Sequence, residues 1–221
     1  MKTTLLSIIL LSATVGQAAT VSGRVQVAGR LSRTAAVTIV YAEPLDRAAV
    51  LAGTFTMSQK NKTFSPAVLP VPAGSTVQFP NDDLIFHNVF SLNRPSPFDL
   101  GLYRAGASKA RTFSTPSIYR IFCNVHPQMT AIVLVLPTSY FTQADAMGNY
   151  RLDLPAGRYR LTAWSERSDP STTEITVAAA PLNAASLSLD ESRFVETGHK
   201  NKFGLDYALI AYDPLRDKKS K

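Results

Sequence analysis

Residues 119–129, Tyr-Arg-Ile-Phe-Cys-Asn-Val-His-Pro-Gln-Met, oblige a strand to end at the only cysteine of the chain. Tyr119, Ile121 and Cys123 alternate with Arg120, Phe122 and Asn124, which is the period-2 pattern of a half-buried strand. Pro127 has no N–H to donate to a ladder and stops it. A thiol at a strand end is therefore followed, on one short turn, by an imidazole (His126) and a thioether (Met129). Composition says what carries that turn. Fourteen prolines and eleven glycines fall largely between short β-branched runs, and no amphipathic helix of three turns stands out. The expectation is an all-β chain.

Taken singly, these residues are ordinary. A cysteine at a strand end is usually a small buried hydrophobe, a single histidine a satisfied polar group, and a single methionine core filler. Here they occur together as Cys-x2-His-x2-Met, in a chain with one cysteine, three histidines and four methionines. In an exported protein an oxidisable thiol needs protection. A thiolate, an imidazole and a weak axial thioether, completed by a second imidazole, make the trigonal site that binds blue copper. His87, in Asn81-Asp82-Asp83-Leu84-Ile85-Phe86-His87-Asn88-Val89, is the candidate for that second imidazole. The apolar neighbours Phe86, Phe90, Phe122 and Pro127 are expected to restrict water.

The ligand stretch resembles the corresponding loop of cupredoxins, with the spacing of amicyanin and shorter than in plastocyanin and azurin. The resemblance extends upstream through Phe64-Ser65-Pro66, Val71-Pro72-Ala73-Gly74-Ser75-Thr76-Val77-Gln78-Phe79, Asn81-Asp82 and His87-Asn88-Val89, and covers roughly residues 55 to 137. It implies a Greek-key β-sandwich holding one type 1 copper centre, with His87, Cys123, His126 and Met129 as ligands. It makes Asn88 the residue that ties the two ligand loops together, with Asn124 and Pro127 also supporting the site, and the edge of His126 the electron port. Pro80 departs from the family, where an aromatic often runs straight into asparagine, and should alter only the strand end.

The remainder of the chain is expected to surround that unit. Residues 1–19 carry Lys2, an apolar run from Leu5 to Leu11 and the small residues Gly16-Gln17-Ala18, and read as a signal peptide cleaved near Ala18 or Ala19. No later stretch is apolar for long enough to span a bilayer, so an exported, periplasmic protein is expected. Residues 20–46 alternate as two strands, Thr20–Val27 and Ala36–Tyr41, too short to bury a core alone. Residues 138–190 alternate again around Pro155-Ala156-Gly157, with further strands from Thr173 and from Ala185. The pattern Asp-x-x-Gly-x-Tyr and Pro-x-Gly-x-Tyr-x-Leu resembles the carboxypeptidase regulatory-like, transthyretin-type β-sandwich. That resemblance implies one small sandwich split in sequence, 20–46 with 138–190, and the copper unit, 50–137, inserted into it; the alternative is a single extended cupredoxin with extra strands at both ends. Residues 191–221 read as a basic, solvated tail, although Phe203, Leu205, Tyr207, Leu209 and Ile210 have the make-up of a strand.

Charge and counting narrow the function. The formal net charge of +7 falls to +6 without Lys2, enough to attract an acidic redox partner and equally usual for a soluble basic protein. The basic residues are scattered, which gives no sign of nucleic-acid binding. With His87 and His126 committed, only His199 remains, too few histidines for the second copper centre of a multicopper enzyme. Cys123 is a poor nucleophile candidate, because no third group orients a base beside it. The expectation is a non-enzymatic carrier of single electrons between redox partner proteins. The layout also resembles exported proteins of the methylamine-utilisation type, which implies a link to an amine dehydrogenase. The alternative is a periplasmic copper carrier or sensor without redox turnover, against which stands the isolation of Met57 and Met147.

Overall fold

Proline and glycine punctuation cuts this chain into short extended runs, and the computed structural model bears that out. It describes residues 18–29, 36–93, 96–184, 186–195, 198–203 and 205, and among these it holds strands and no helix. Residues 1–17, and with them nearly all of the expected signal peptide, lie outside the described residues. Ala19, expected to precede the fold, instead opens the first strand and is buried opposite Leu154.

In chain order the first strands are β1 (Ala19–Ala28), β2 (Thr38–Pro44), β3 (Thr54–Thr56), β4 (Ser58–Lys60), β5 (Thr63–Ser65) and β6 (Val68–Pro72). Next come β7 (Ser75–Pro80), β8 (His87–Ser91), β9 (Phe98–Tyr103), β10 (Ser108–Phe113), β11 (Ser117–Phe122) and β12 (Thr130–Leu136). The last are β13 (Phe141–Gln143), β14 (Asn149–Leu154), β15 (Gly157–Ser165), β16 (Ser168–Val177), β17 (Leu182–Asn183) and β18 (Leu187–Asp190).

Strands β6-β12-β11-β8-β9 form one sheet, and β10-β7-β3 a second. Their inner faces share one core that includes Val77, Phe79, Val89, Phe113, Tyr119, Ile121 and Val133, as well as Cys123 and Met129. Pro80 ends β7, as the sequence implies. The ends of the chain pair with each other instead. β1 lies between β14 and the strands β17 and β18, while β2 lies between β13 and β15, with β16 outside. Val21, Val40, Leu152, Leu154, Tyr159 and Leu161 fill the core between these sheets. Gly23 is required there, because a Cβ would collide with the ring of Tyr150.

β12 is buried along both faces from Ala131 onward. Ala131, Val133 and Val135 enter the core shared with Cys123. Ile132, Leu134 and Leu136 turn the other way and meet Val68, Ile39 and Trp164 in a third cluster. Period-2 alternation thus lets one strand bind two layers at once. The ion pair Arg120–Glu166 spans the same junction at the surface.

Candidate metal centre

Two strand ends set the site. β8 and β11 are antiparallel with Phe90 opposite Phe122, and continuing that register sets Asn88 opposite Asn124. Asn124 N–H accordingly donates to Asn88 Oδ1 at 3.2 Å, linking the start of β8 to the loop after β11. β11 and β12 pair down to Phe122 opposite Thr130. Beyond that pair, Cys123 N–H reaches the Met129 carbonyl at 3.3 Å and Met129 N–H the His126 carbonyl at 2.9 Å. Cys123 and Met129 therefore close the base of a seven-residue loop, and His126 stands at its turn.

The strand alternation is observed. Tyr119, Ile121 and Cys123 are buried, Arg120 is exposed and Asn124 half-buried. Phe122 faces outward but is covered by Phe90, at a centroid separation of 5.7 Å, and by His199. Phe90 and Phe122 are thus buried. Phe86 is not: it is 55% exposed, and Pro127 is exposed as well, so neither seals the site in the way the sequence suggested. Phe86 belongs to an open run with Leu84 and Ile85, because Asn81 turns the chain there by donating Nδ2–H to the Ile85 carbonyl at 2.8 Å.

His87 Nδ1 and His126 Nδ1 lie 3.1 Å apart, and each is 3.9 Å from Cys123 Sγ. This is the one group of three or more such donors among the described residues. A triangle with these edges has a circumradius of about 2.1 Å, within the range of metal–imidazole and metal–thiolate bonds, about 2.0–2.3 Å. The donor set fits one ion that accepts nitrogen and sulfur. Cys123 and His87 are fully buried, Met129 is 1% exposed in the same core, and His126 is half-buried.

The feature sequence reasoning missed is Asp83. Its Oδ2 lies 2.7 Å from His87 Nε2. A carboxylate oxygen accepts, so Nε2 carries the proton and Nδ1 presents its lone pair to Cys123 and His126. Asp83 is fixed in turn by N–H groups of Asn61 at 2.6 Å and Lys62 at 2.9 Å. Asn61 and Lys62 have φ of 54° and 55°, as the two-residue turn between β4 and β5 requires. Burial opposes ionisation of Asp83, yet hydrogen bonds from Lys62, His87 and Asn61 outweigh it and hold the carboxyl below its usual range. Burial, then the repulsion that would arise if both imidazoles, 3.1 Å apart, were protonated together, and then the Lys62 charge push the His126 imidazole down, towards its neutral form.

The tail is also closer to the site than expected. His199 stacks on Phe122, with centroids 4.2 Å and planes 17° apart, and donates from Nε2 to the Pro127 carbonyl. Lys202 contacts Asn124 and Asp99. Phe203 and Leu205 are exposed rather than packed, while Tyr207, Leu209 and Ile210 lie outside the described residues.

No family model matches the chain, and no curated protein matches it. Among similar solved structures, a copper-containing nitrite reductase from Thermus scotoductus is 27% identical at a TM-score of 0.37. That match covers 42% of this chain but only 25% of the reductase. A purple cupredoxin from Nitrosopumilus maritimus is 24% identical at a TM-score of 0.34, over 37% of this chain and 98% of its own. A reduced amicyanin variant is 20% identical at 0.36, over 43% and 99%.

Proposed function

We propose that this chain is a type 1 copper protein that carries single electrons between redox partner proteins, with His87, Cys123, His126 and Met129 as its ligands. The observation that carries the reading is the donor triangle: two imidazole nitrogens and a cysteine sulfur, spaced for one ion. Copper held there supplies a one-electron couple between Cu(I) and Cu(II). The chain supplies the rest. Cys123 and His87 are sealed in the core, and Asp83 fixes the tautomer of His87. Asn88 ties the start of β8 to the loop of His126, which would restrain the spacing of the donors. A small rearrangement between states is what a rapid carrier needs. His126 alone among the three reaches the surface, which makes its edge the electron port.

The same reading includes a cupredoxin-type unit between β3 and β12, inserted into a small transthyretin-like sandwich assembled from both ends of the chain. It is supported by the pairing of β1 with β14 and of β2 with β15. No helix among the described residues is long and apolar enough to cross a membrane. An exported, periplasmic carrier with its signal peptide removed completes the proposal, its link to an amine dehydrogenase resting on the resemblance in layout alone.

Protein-film voltammetry of the copper-loaded chain tests it, together with a Cu(I) competition titration. Electron carriage gives one reversible one-electron wave, absent in Cys123→Ala. Tight Cu(I) binding with no such wave would assign the site to copper carriage instead.

A further inference from the structure

Four hydrogen bonds close a circuit beside the donor triangle. Asn124 N–H donates to Asn88 Oδ1 at 3.2 Å, and Asn88 Nδ2 to Asp99 Oδ1 at 2.6 Å. Lys202 Nζ donates to Asp99 Oδ2 at 2.9 Å, and Lys202 N–H returns to Asn124 Oδ1 at 3.1 Å. The circuit joins the start of β8, which carries His87, the loop that carries His126, the strand β9, and a segment 78 residues beyond Asn124. On the far side of His126, His199 stacks on Phe122 and donates to the Pro127 carbonyl. The C-terminal segment thus grips the loop two residues before His126 and one residue after it.

The loop needs such support. Val125, Pro127 and Gln128 are exposed, so little apolar burial holds this turn. Its own backbone bonds are the two at its base, Cys123 to Met129 at 3.3 Å and Met129 to His126 at 2.9 Å. Segments with few buried contacts and exposed hydrogen bonds open at small free-energy cost. A donor on an unsupported turn would sample many positions, and ordering it would weaken metal binding. Contacts from outside the loop, made before any metal arrives, remove that cost.

We propose that residues 198–203 clamp the metal loop, with His199 and Lys202 as positioning residues that hold His126 at its distance from His87 and Cys123. The clamp rests on the metal-site reading for its purpose, but its existence is measurable in the metal-free chain. Lys202 supplies the charge against Asp99, whereas His199 supplies a flat ring and one N–H.

The test uses the full chain carrying His199→Ala and Lys202→Ala together, with Lys202→Arg as the conservative variant. In the metal-free state, amide exchange is followed by NMR at Asn124 and Met129. Titration with Cu(II) alone, against a chelator, then gives the affinity and the charge-transfer spectrum. The clamp requires faster exchange at both amides in the double variant, with an unchanged melting temperature reported by Trp164. It also requires a loss of Cu(II) affinity of about 10–100-fold, the range seen when groups supporting metal ligands are removed. Lys202→Arg stays close to the parent chain, since a cation still faces Asp99. Unchanged exchange and affinity in the double variant would overturn the clamp while leaving the copper reading intact. Faster exchange in a chain whose parent binds no Cu(II) would leave the clamp standing and remove the copper reading.

Discussion

Asp83→Ala should weaken metal binding while leaving the fold in place. His87 is completely buried and the Asp83 side chain is 13% exposed, so water has little room to replace the carboxylate. In the metal-free variant the imidazole can move its proton to Nδ1 and relieve the loss. With metal on Nδ1 that escape is closed, and a buried N–H is left without an acceptor. Such an orphaned group costs about 1–3 kcal/mol, which is about 5–150-fold in affinity at about 1.4 kcal/mol per decade. Asp83→Asn keeps an acceptor oxygen and loses the charge, so its affinity falls less. Its reduction potential should rise, because removing a negative charge beside the site favours Cu(I). Asp82→Asn, on an exposed neighbour, is the control. Chelator competition with Cu(II) measures all three. An Asp83→Ala variant within twofold of the parent, or indistinguishable from the Asp82 variant, would refute the reasoning.

Met129→Leu should retain copper and colour and raise the potential, since losing a weak donor and drying the site both favour Cu(I), whereas Met129→Gln should lower it; voltammetry of the pair decides. Ile39→Ala removes a fully buried side chain from the cluster of Trp164, Val68 and Leu134, and should cost about 2–5 kcal/mol in denaturant unfolding followed by Trp164 fluorescence. A cost below about 1 kcal/mol would show that this junction is not tightly packed. Burial opposes ionisation of Asp99, but hydrogen bonds from Lys202, Gly101 and Asn88 hold its carboxyl below the ordinary value of 3.8. Its contribution is therefore complete above that pH and lost as pH falls through the depressed value. The amide of Gly101, which donates to Asp99 Oδ1 at 2.8 Å, should keep its signal in the metal-free protein from neutral pH down to about pH 4 and move only below it.

What could be read from residues alone was local. Cys123, His126 and Met129 share one turn, and alternation along Tyr119–Asn124 separated buried from exposed positions without knowledge of any partner strand. Asp83 escaped because nothing in residue type separates it from Asp82; its role comes from the Asn61–Lys62 turn, which aims two N–H groups at one of the two. Phe86 was misjudged for a similar reason, since hydrophobicity alone does not reveal that Asn81 turns the loop outward. The docking of Lys202 on Asp99 joins residues 103 positions apart, whereas the meeting of β1 with β14 was suggested only by a family resemblance and by no local pattern. Polar contacts over that separation leave no period in the sequence, and a basic, polar tail reads the same whether it is solvated or docked.

The electronic spectrum of the purified chain with one equivalent of Cu(II) tests the central claim most directly. A thiolate bound in the triangle of His87, His126 and Cys123 gives an intense visible charge-transfer band, which disappears in Cys123→Ala and survives in Met129→Leu. A colourless protein at full copper occupancy, or a band unaffected by Cys123→Ala, would contradict the account.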